Sequence, residues 1–240
     1  MRPAGFWRRS AAWSLDACAV ALPAFVLCQA ALRDAAEAFD TAGATLVHAL
    51  AWRMMDALEA LDAGRAPLAI ALGWMRDPAL HAAASGIRAA VVAMLLPALL
   101  AFVPLFLAWC VGFERSRWQA TPGKRALGLR VVAADGGRAT TGAVVLRFVA
   151  GTLSWLTLNL GHLMAALPPL HAALHDRLSG TRVRLAEGTP SRMPFWAVCW
   201  LLLWAAAALA ANAWLLAGFE RAVIDALDAA LAGRGPYGGP

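Results

Sequence analysis

The chain has 240 residues, of which 61% are hydrophobic and only 15% charged, against about 45–50% and about 25% in soluble domains. Its formal charge of +6 would admit a nucleic-acid partner, yet the basic residues cluster at the ends of apolar runs, as topology determinants of membrane proteins do. Composition therefore excludes an ordinary soluble domain, argues against nucleic acid, and predicts an all-α integral membrane protein.

The first apolar run, 11–32, follows Arg8 and Arg9 and is long enough to span a bilayer core, which needs about 20 helical residues. A basic start followed by Cys28-Gln29-Ala30-Ala31 mimics a signal peptide. Asp16 interrupts the apolar region, however, and Leu27 is a poor residue before a lipoprotein cleavage site, so an uncleaved helix is expected. Residues 33–88 read as a long external insertion. Within it Leu46, Leu50, Met54, Leu58 and Leu61 recur at helical spacing, opposite Arg53, Asp56 and Glu59. That pattern predicts an amphipathic helix on the membrane surface, ended by Gly64 and Pro67.

The second span is 89–112, with Pro97 and Pro104 on one face. The loop 113–147 carries seven basic residues against Glu114 and Asp135, whereas the insertion balances five arginines against seven acids. The N-terminus and this loop should thus face the cytoplasm and the insertion the outside. Segment 142–170 is apolar but broken by Asn159, Gly161, His162 and Pro168-Pro169. A single crossing would leave Arg177, Arg182, Arg184 and Arg192 outside; a bend near 159–162 keeps them inside. Residues 127–133 and 181–185 are strand-like, with a turn signal at Asp135-Gly136-Gly137, and short strands need to pair. The bend back is the preferred reading. A further span, 195–218, and an amphipathic tail, 219–240, complete about four to five hydrophobic segments, a small cytoplasmic β-hairpin-like element and interfacial helices. The four cysteines all lie in apolar runs with no CxxC pair, so neither disulfides nor zinc are indicated.

Three separated motifs now stand in order. Gly5-Phe6-Trp7-Arg8-Arg9 with Ala12 and Asp16 resembles the opening of the RDD family of membrane proteins. Thr121-Pro122-Gly123-Lys124-Arg125-Ala126-Leu127-Gly128-Leu129-Arg130 resembles its central signature, and Leu174-His175-Asp176-Arg177-Leu178-Ser179-Gly180-Thr181 its closing one. The resemblance covers about residues 5–185. It implies a multi-pass protein of a bacterial-type inner membrane, with Arg9, Asp16 and Asp176 as the family's one Arg and two Asp. Transport or ion exchange has been proposed for some members. The insertion 33–88 and everything after Arg192 depart from the family's compact pattern.

The residues themselves narrow the chemistry. An acid in a span costs roughly 2.5–3.5 kcal/mol on insertion scales, so Asp16 needs a partner or a task. Arg9 is about 10.5 Å away along the helix axis at 1.5 Å per residue, and both side chains lean toward the helix start. A direct pair is not expected; Arg147, on another segment, is the first candidate partner. Asp16 then either ties helices together or binds a cation or relays a proton. Asp176 with Gly180 reads as turn chemistry, or as an ion-pair partner of Arg9 or Lys124. His171 and His175 stand one turn apart, without a third ligand for a metal. Thr121-Pro122-Gly123-Lys124 fails as a phosphate loop, because Trp118 and Arg125 stand where Gly and Ser or Thr are needed. Lys124, Arg125 and Arg130 are placed to meet anionic lipid headgroups. Arg147, Lys124, Arg125, His175 and Arg177 are the supporting residues. No catalytic arrangement and no cofactor motif is found, so no enzyme is expected. Two functions remain: a small transport or ion-exchange protein using Asp16, or a scaffold or accessory subunit that binds a protein partner, or its own copies, through residues 33–88.

Overall fold

The computed structural model describes residues 2–156, 160–167 and 171–233. In chain order the elements are α1 (Phe6–Asp62), α2 (Pro67–Trp74), α3 (Pro78–Arg115), α4 (Pro122–Ala126), β1 (Leu129–Ala133), α5 (Thr141–Leu156), α6 (Leu160–Leu163), a 3₁₀ turn (Met164–Ala166), α7 (Leu174–Leu178), β2 (Thr181–Leu185) and α8 (Phe195–Gly233). Three helices, α1, α3 and α8, are long and apolar enough to cross a membrane. The expected spans 11–32, 89–112 and 195–218 lie inside these three.

The amphipathic stretches are not separate helices. Residues 45–62 continue α1 without a break, and 219–233 continue α8. The boundary placed at residue 33 marked a fall in hydropathy, and hydropathy does not end a helix. Asp34, Ala35, Ala36, Glu37 and Ala38 are compatible with helix, and only Gly43 weakens the run. What stops α1 is Gly64, at φ +77, followed by Pro67 at the first turn of α2. Residues 235–240 of the expected frayed tail lie outside the described residues.

The chain divides into two compact units, Met1–Leu27 with Leu100–Ala206, and Cys28–Leu99 with Ala207–Pro240. In the second unit Arg53 joins α1 to the α2–α3 connection through Asp77 at 2.5 Å, and also meets Asp56 on its own helix at 3.2 Å. Backbone N–H groups of Ala79 and Leu80 also donate to Asp77, which thereby caps α3.

The first unit holds the motifs. β1 and β2 pair antiparallel, Leu129 opposite Leu185 through Ala133 opposite Thr181. In β2 Thr181, Val183 and Leu185 point inward while Arg182 and Arg184 alternate outward, the period-2 pattern of a half-buried strand. The N-terminus joins the same ladder, with Ala4 N donating to Val183 O at 3.1 Å and Leu185 N to Arg2 O at 2.9 Å. The ladder is not a local hairpin. The turn at Asp135-Gly136-Gly137 forms, with Gly136 at φ +93 and Gly137 N on Asp135 Oδ1, but it supports only one bridge, Val132 to Arg138. Leu127, Leu129, Val131, Val144 and Val183 fill the core beneath, against Ala11 and Ala12 of α1. Both alanines are fully buried, so α1 and the loop backbone approach closely.

Between the strands, the described residues of α5 number 16. Of the bend expected near 159–162, residue 159 lies outside the described residues and residues 160–162 belong to α6; α6 and α7 both pack against α5.

Candidate functional site

The early turns of α1 present Arg8, Arg9 and Asp16 at successive depths. Arg8 serves the chain following β2, donating to the carbonyls of Pro190 at 3.0 Å and of Arg192. Arg9 turns to α7: Nη1 meets Asp176 Oδ2 at 2.5 Å, Nη2 donates to His171 O at 2.8 Å, and Nε donates to Ala4 O at 3.1 Å.

Asp16 is 2% exposed and accepts three hydrogen bonds from neutral donors. Trp109 Nε1 of α3 reaches Oδ1 at 3.1 Å, Gly123 N reaches the same oxygen at 2.8 Å, and the Thr121 hydroxyl takes Oδ2. The carboxylate thus ties α1 to α3 and to the turn that opens α4, where Thr121 caps nothing with its own side chain. Glycine is required at 123, because a Cβ there would collide with Ala12 O and come within 2.9 Å of the Asp16 carboxylate. Arg147 does not reach Asp16. It lies on α5 facing α7, so the expected Asp16–Arg147 pair is replaced by Arg147–Asp176.

Asp176 is fully buried. Arg147 Nη1 meets Oδ1, Arg9 meets Oδ2, and Ala173 N donates to Oδ2 at 2.9 Å, capping α7. Arg147 Nη1 also donates to Thr181 Oγ1 at 2.9 Å. Both sequence readings of Asp176 therefore hold together: it organises the turn, with Gly180 at φ +61, and it pairs with Arg9. Burial alone would raise this carboxyl, but Arg147 and then Arg9 reverse that and hold it well below the usual carboxylate range.

Glu114, at the end of α3, extends the network and was not among the sequence candidates. It is 3% exposed, with Oε1 2.5 Å from Lys124 Nζ and Oε2 4.0 Å from Arg147 Nε. The signal was available: Glu114 is the only acid between Pro78 and Ala134, a lone carboxylate at the start of a basic loop. Lys124, expected at headgroups, turns inward to it. Burial lowers the Lys124 ammonium, and attraction to Glu114 outweighs this to leave it raised. Arg9, Arg147 and Lys124 thus meet Asp176 and Glu114, three cations against two carboxylates, while Asp16 is held by neutral donors.

His175 borders the network, Nε2 3.5 Å from Asp176 Oδ1, and its ring lies 5.0 Å from that of His162. Burial first and Arg147 second push it down to about 2, so it is neutral. Glu114 Oε2, His175 Nδ1 and His162 Nδ1 are buried without a hydrogen-bond partner. No group of His, Cys, Asp and Glu fit to hold a metal exists among the described residues, and His171 uses Nδ1 on Ala165 O at 3.2 Å. Arg125 and Arg177 are exposed and stand apart from the network; Arg125 lies 4.2 Å over the Trp118 ring.

No curated protein and no solved structure matches the chain. The model of the RDD family matches residues 3–180, a range that takes in Arg9, Asp16, Glu114, Lys124, Arg147 and Asp176. This chain belongs to the RDD family.

Proposed function

We propose that this is a multi-pass membrane protein whose motif charges form an internal clasp, and that it works as a non-transporting scaffold or accessory subunit. The observation that carries the reading is the closed state of Asp16: 2% exposed, with both oxygens occupied by donors from α3 and the turn opening α4. A carboxylate that exchanges an ion needs a wet approach; this one has packed neighbours instead. The membrane setting is supported by the large exposed side chains of α3 and α8, such as Leu95, Leu100, Leu202, Leu209 and Leu216, whose contiguous apolar surface calls for lipid or another chain.

In this reading α1, α3 and α8 cross an inner membrane, with the N-terminus in the cytoplasm. Residues 142–170 bend back, which leaves the arginines of 171–194 on the cytoplasmic side in accord with the positive-inside bias. The three-way ladder of residues 2–4, β1 and β2 favours this. Residues 33–88, outside, would meet the partner or a second copy; the reading assigns no enzymatic step.

A second reading, ion exchange, is favoured by one observation of its own. Glu114 Oε2 and the two histidine Nδ1 atoms are buried and unsatisfied, and half-satisfied polar networks are costly unless they have a task. Exchange would then run along Glu114, Arg147, Asp176 and His175 rather than at Asp16. Proteoliposomes carrying the full chain separate the two. The clasp predicts no proton or cation flux above empty vesicles, whereas exchange predicts gradient-driven flux that Glu114→Gln abolishes.

A further inference from the structure

Two concavities of the first unit share a wall. The smaller, about 170 Å³, lies between the α3–α4 connection and β1 and is lined by Arg117, Trp118, Arg125 and Arg130 together with Gly128 and Ala186. The larger, about 530 Å³, is an apolar groove along the end of α3, lined by Leu105, Ala108, Trp109, Gly112 and Phe113. Arg117 and Trp118 line both.

The three arginines of the small cavity are exposed, and none has a carboxylate partner among the described residues. Of the nearby acids, Glu114 is already held by Lys124, and Glu187, which follows the lining residue Ala186, forms no ion pair with the three arginines. No acidic residue lines the cavity among those described. Three unpaired guanidiniums around one space are complementary to a phosphate, which accepts bidentate bonds from such forks. The arrangement is braced: Arg125 lies over Trp118, Trp118 stacks on Phe113 at 5.6 Å and 9°, and Phe113 meets Trp109 edge-on at 4.7 Å. This aromatic ladder leads from the basic cavity into the apolar groove. The small cavity is below the about 300–1,000 Å³ that encloses a whole small-molecule ligand, so it suits a headgroup, with the rest of the molecule in the groove.

We propose that this pair of concavities is a binding site for one anionic phospholipid, its phosphate held by Arg117, Arg125 and Arg130 and an acyl chain lying along α3. The site rests on the membrane reading above, and goes beyond it in naming a specific ligand class. It also replaces Lys124, which faces inward, by Arg117 as a headgroup contact beside Arg125 and Arg130.

The test is native mass spectrometry of the full chain, delipidated in detergent, with phosphatidylglycerol, phosphatidylcholine or inorganic phosphate added. One phosphatidylglycerol should bind in preference to phosphatidylcholine, and the triple variant Arg117→Gln, Arg125→Gln, Arg130→Gln should weaken it by roughly a hundredfold, from three headgroup contacts. Ala108→Trp, which fills the groove, should weaken the lipid and leave phosphate binding unchanged. Thermal melting without lipid checks that each variant is folded; should the triple variant fail to fold, Arg117→Gln alone is read for a loss of about fivefold. Equal binding of the two lipids overturns the site while leaving the membrane reading intact, as does an undiminished affinity in the arginine variants. Inorganic phosphate competing at the lipid's own concentration overturns the lipid as occupant.

Discussion

The family's two aspartates are both buried, and they are satisfied by opposite means. Around Asp16 every donor is neutral: an indole, a hydroxyl and a backbone amide from two elements. Around Asp176 two guanidiniums converge on the two oxygens, with one backbone amide added. The difference separates two jobs that a buried carboxylate can do. Asp16 positions backbone, since the turn at Gly123 is hung on it, and a neutral amide has most of the same hydrogen-bonding capacity. Asp176 balances charge, and nothing neutral can replace it.

The largest effect should therefore fall on Asp176. Asp176→Asn leaves Arg9 and Arg147 buried around a neutral group, and breaking a buried pair from one side costs about 3–5 kcal/mol. Asp16→Asn keeps an oxygen for Gly123 and Trp109, and its amino group meets a Thr121 hydroxyl that can turn to accept. Only the charge-assisted part of those bonds is lost, about 1–2 kcal/mol. Thermal melts in one detergent, read side by side, check the ranking; equal losses would erase the distinction between the two sites.

The second effect comes from acid and is confined to the Asp176 side. Folded His175 stays neutral down to about 2, while an unfolded histidine takes its proton near about 6.5. The unfolded chain binds the extra proton between these values, so stability falls as pH drops below about 6.5, by at most about 1.4 kcal/mol per pH unit. Asp176, whose folded carboxyl ionises below its ordinary range, adds a further loss only as pH falls below about 4. His175→Phe should make the upper limb shallower and leave the lower one. A melt series from pH 7 to pH 3 reads both, and an unchanged upper limb would remove His175 from the account.

How far the sequence reached follows the same divide. Spacing along one helix correctly kept Arg9 off Asp16, and strand propensity with the need for pairing brought 127–133 and 181–185 together. Those inferences rest on backbone periodicity, which a single chain displays. The choice of partner does not. Arg147 was matched with Asp16 because both were charges in apolar runs, yet a guanidinium on α5 reaches whichever acid the fold brings close, and that is Asp176. Gly123 looked like part of a turn; the approach of Ala12 O that requires it is visible only once α1 and the loop are packed. The continuity of α1 past residue 33 was missed because polarity was taken for a boundary, although no helix-breaking residue stands there.

The smallest effect tests the Asp16 side alone. Trp109 donates to Oδ1, which also receives Gly123 N, whereas Thr121 is the donor to Oδ2. Trp109→Phe should then cost about 1 kcal/mol for the bond, because the oxygen it leaves keeps one donor and the smaller ring still faces Phe113. Thr121→Val strips Oδ2 of its donor and should cost more, about 1.5–3 kcal/mol for a bond to a charged group. Lost ring volume would blur the first figure, so the bond is isolated by a double-mutant cycle of Trp109→Phe with Asp16→Asn. A positive coupling smaller than that of Thr121→Val with Asp16→Asn is expected from melts of the four proteins. A larger one would make the indole, not the turn, the principal anchor of Asp16, and would move that carboxylate from organising the loop to fastening α1 against α3.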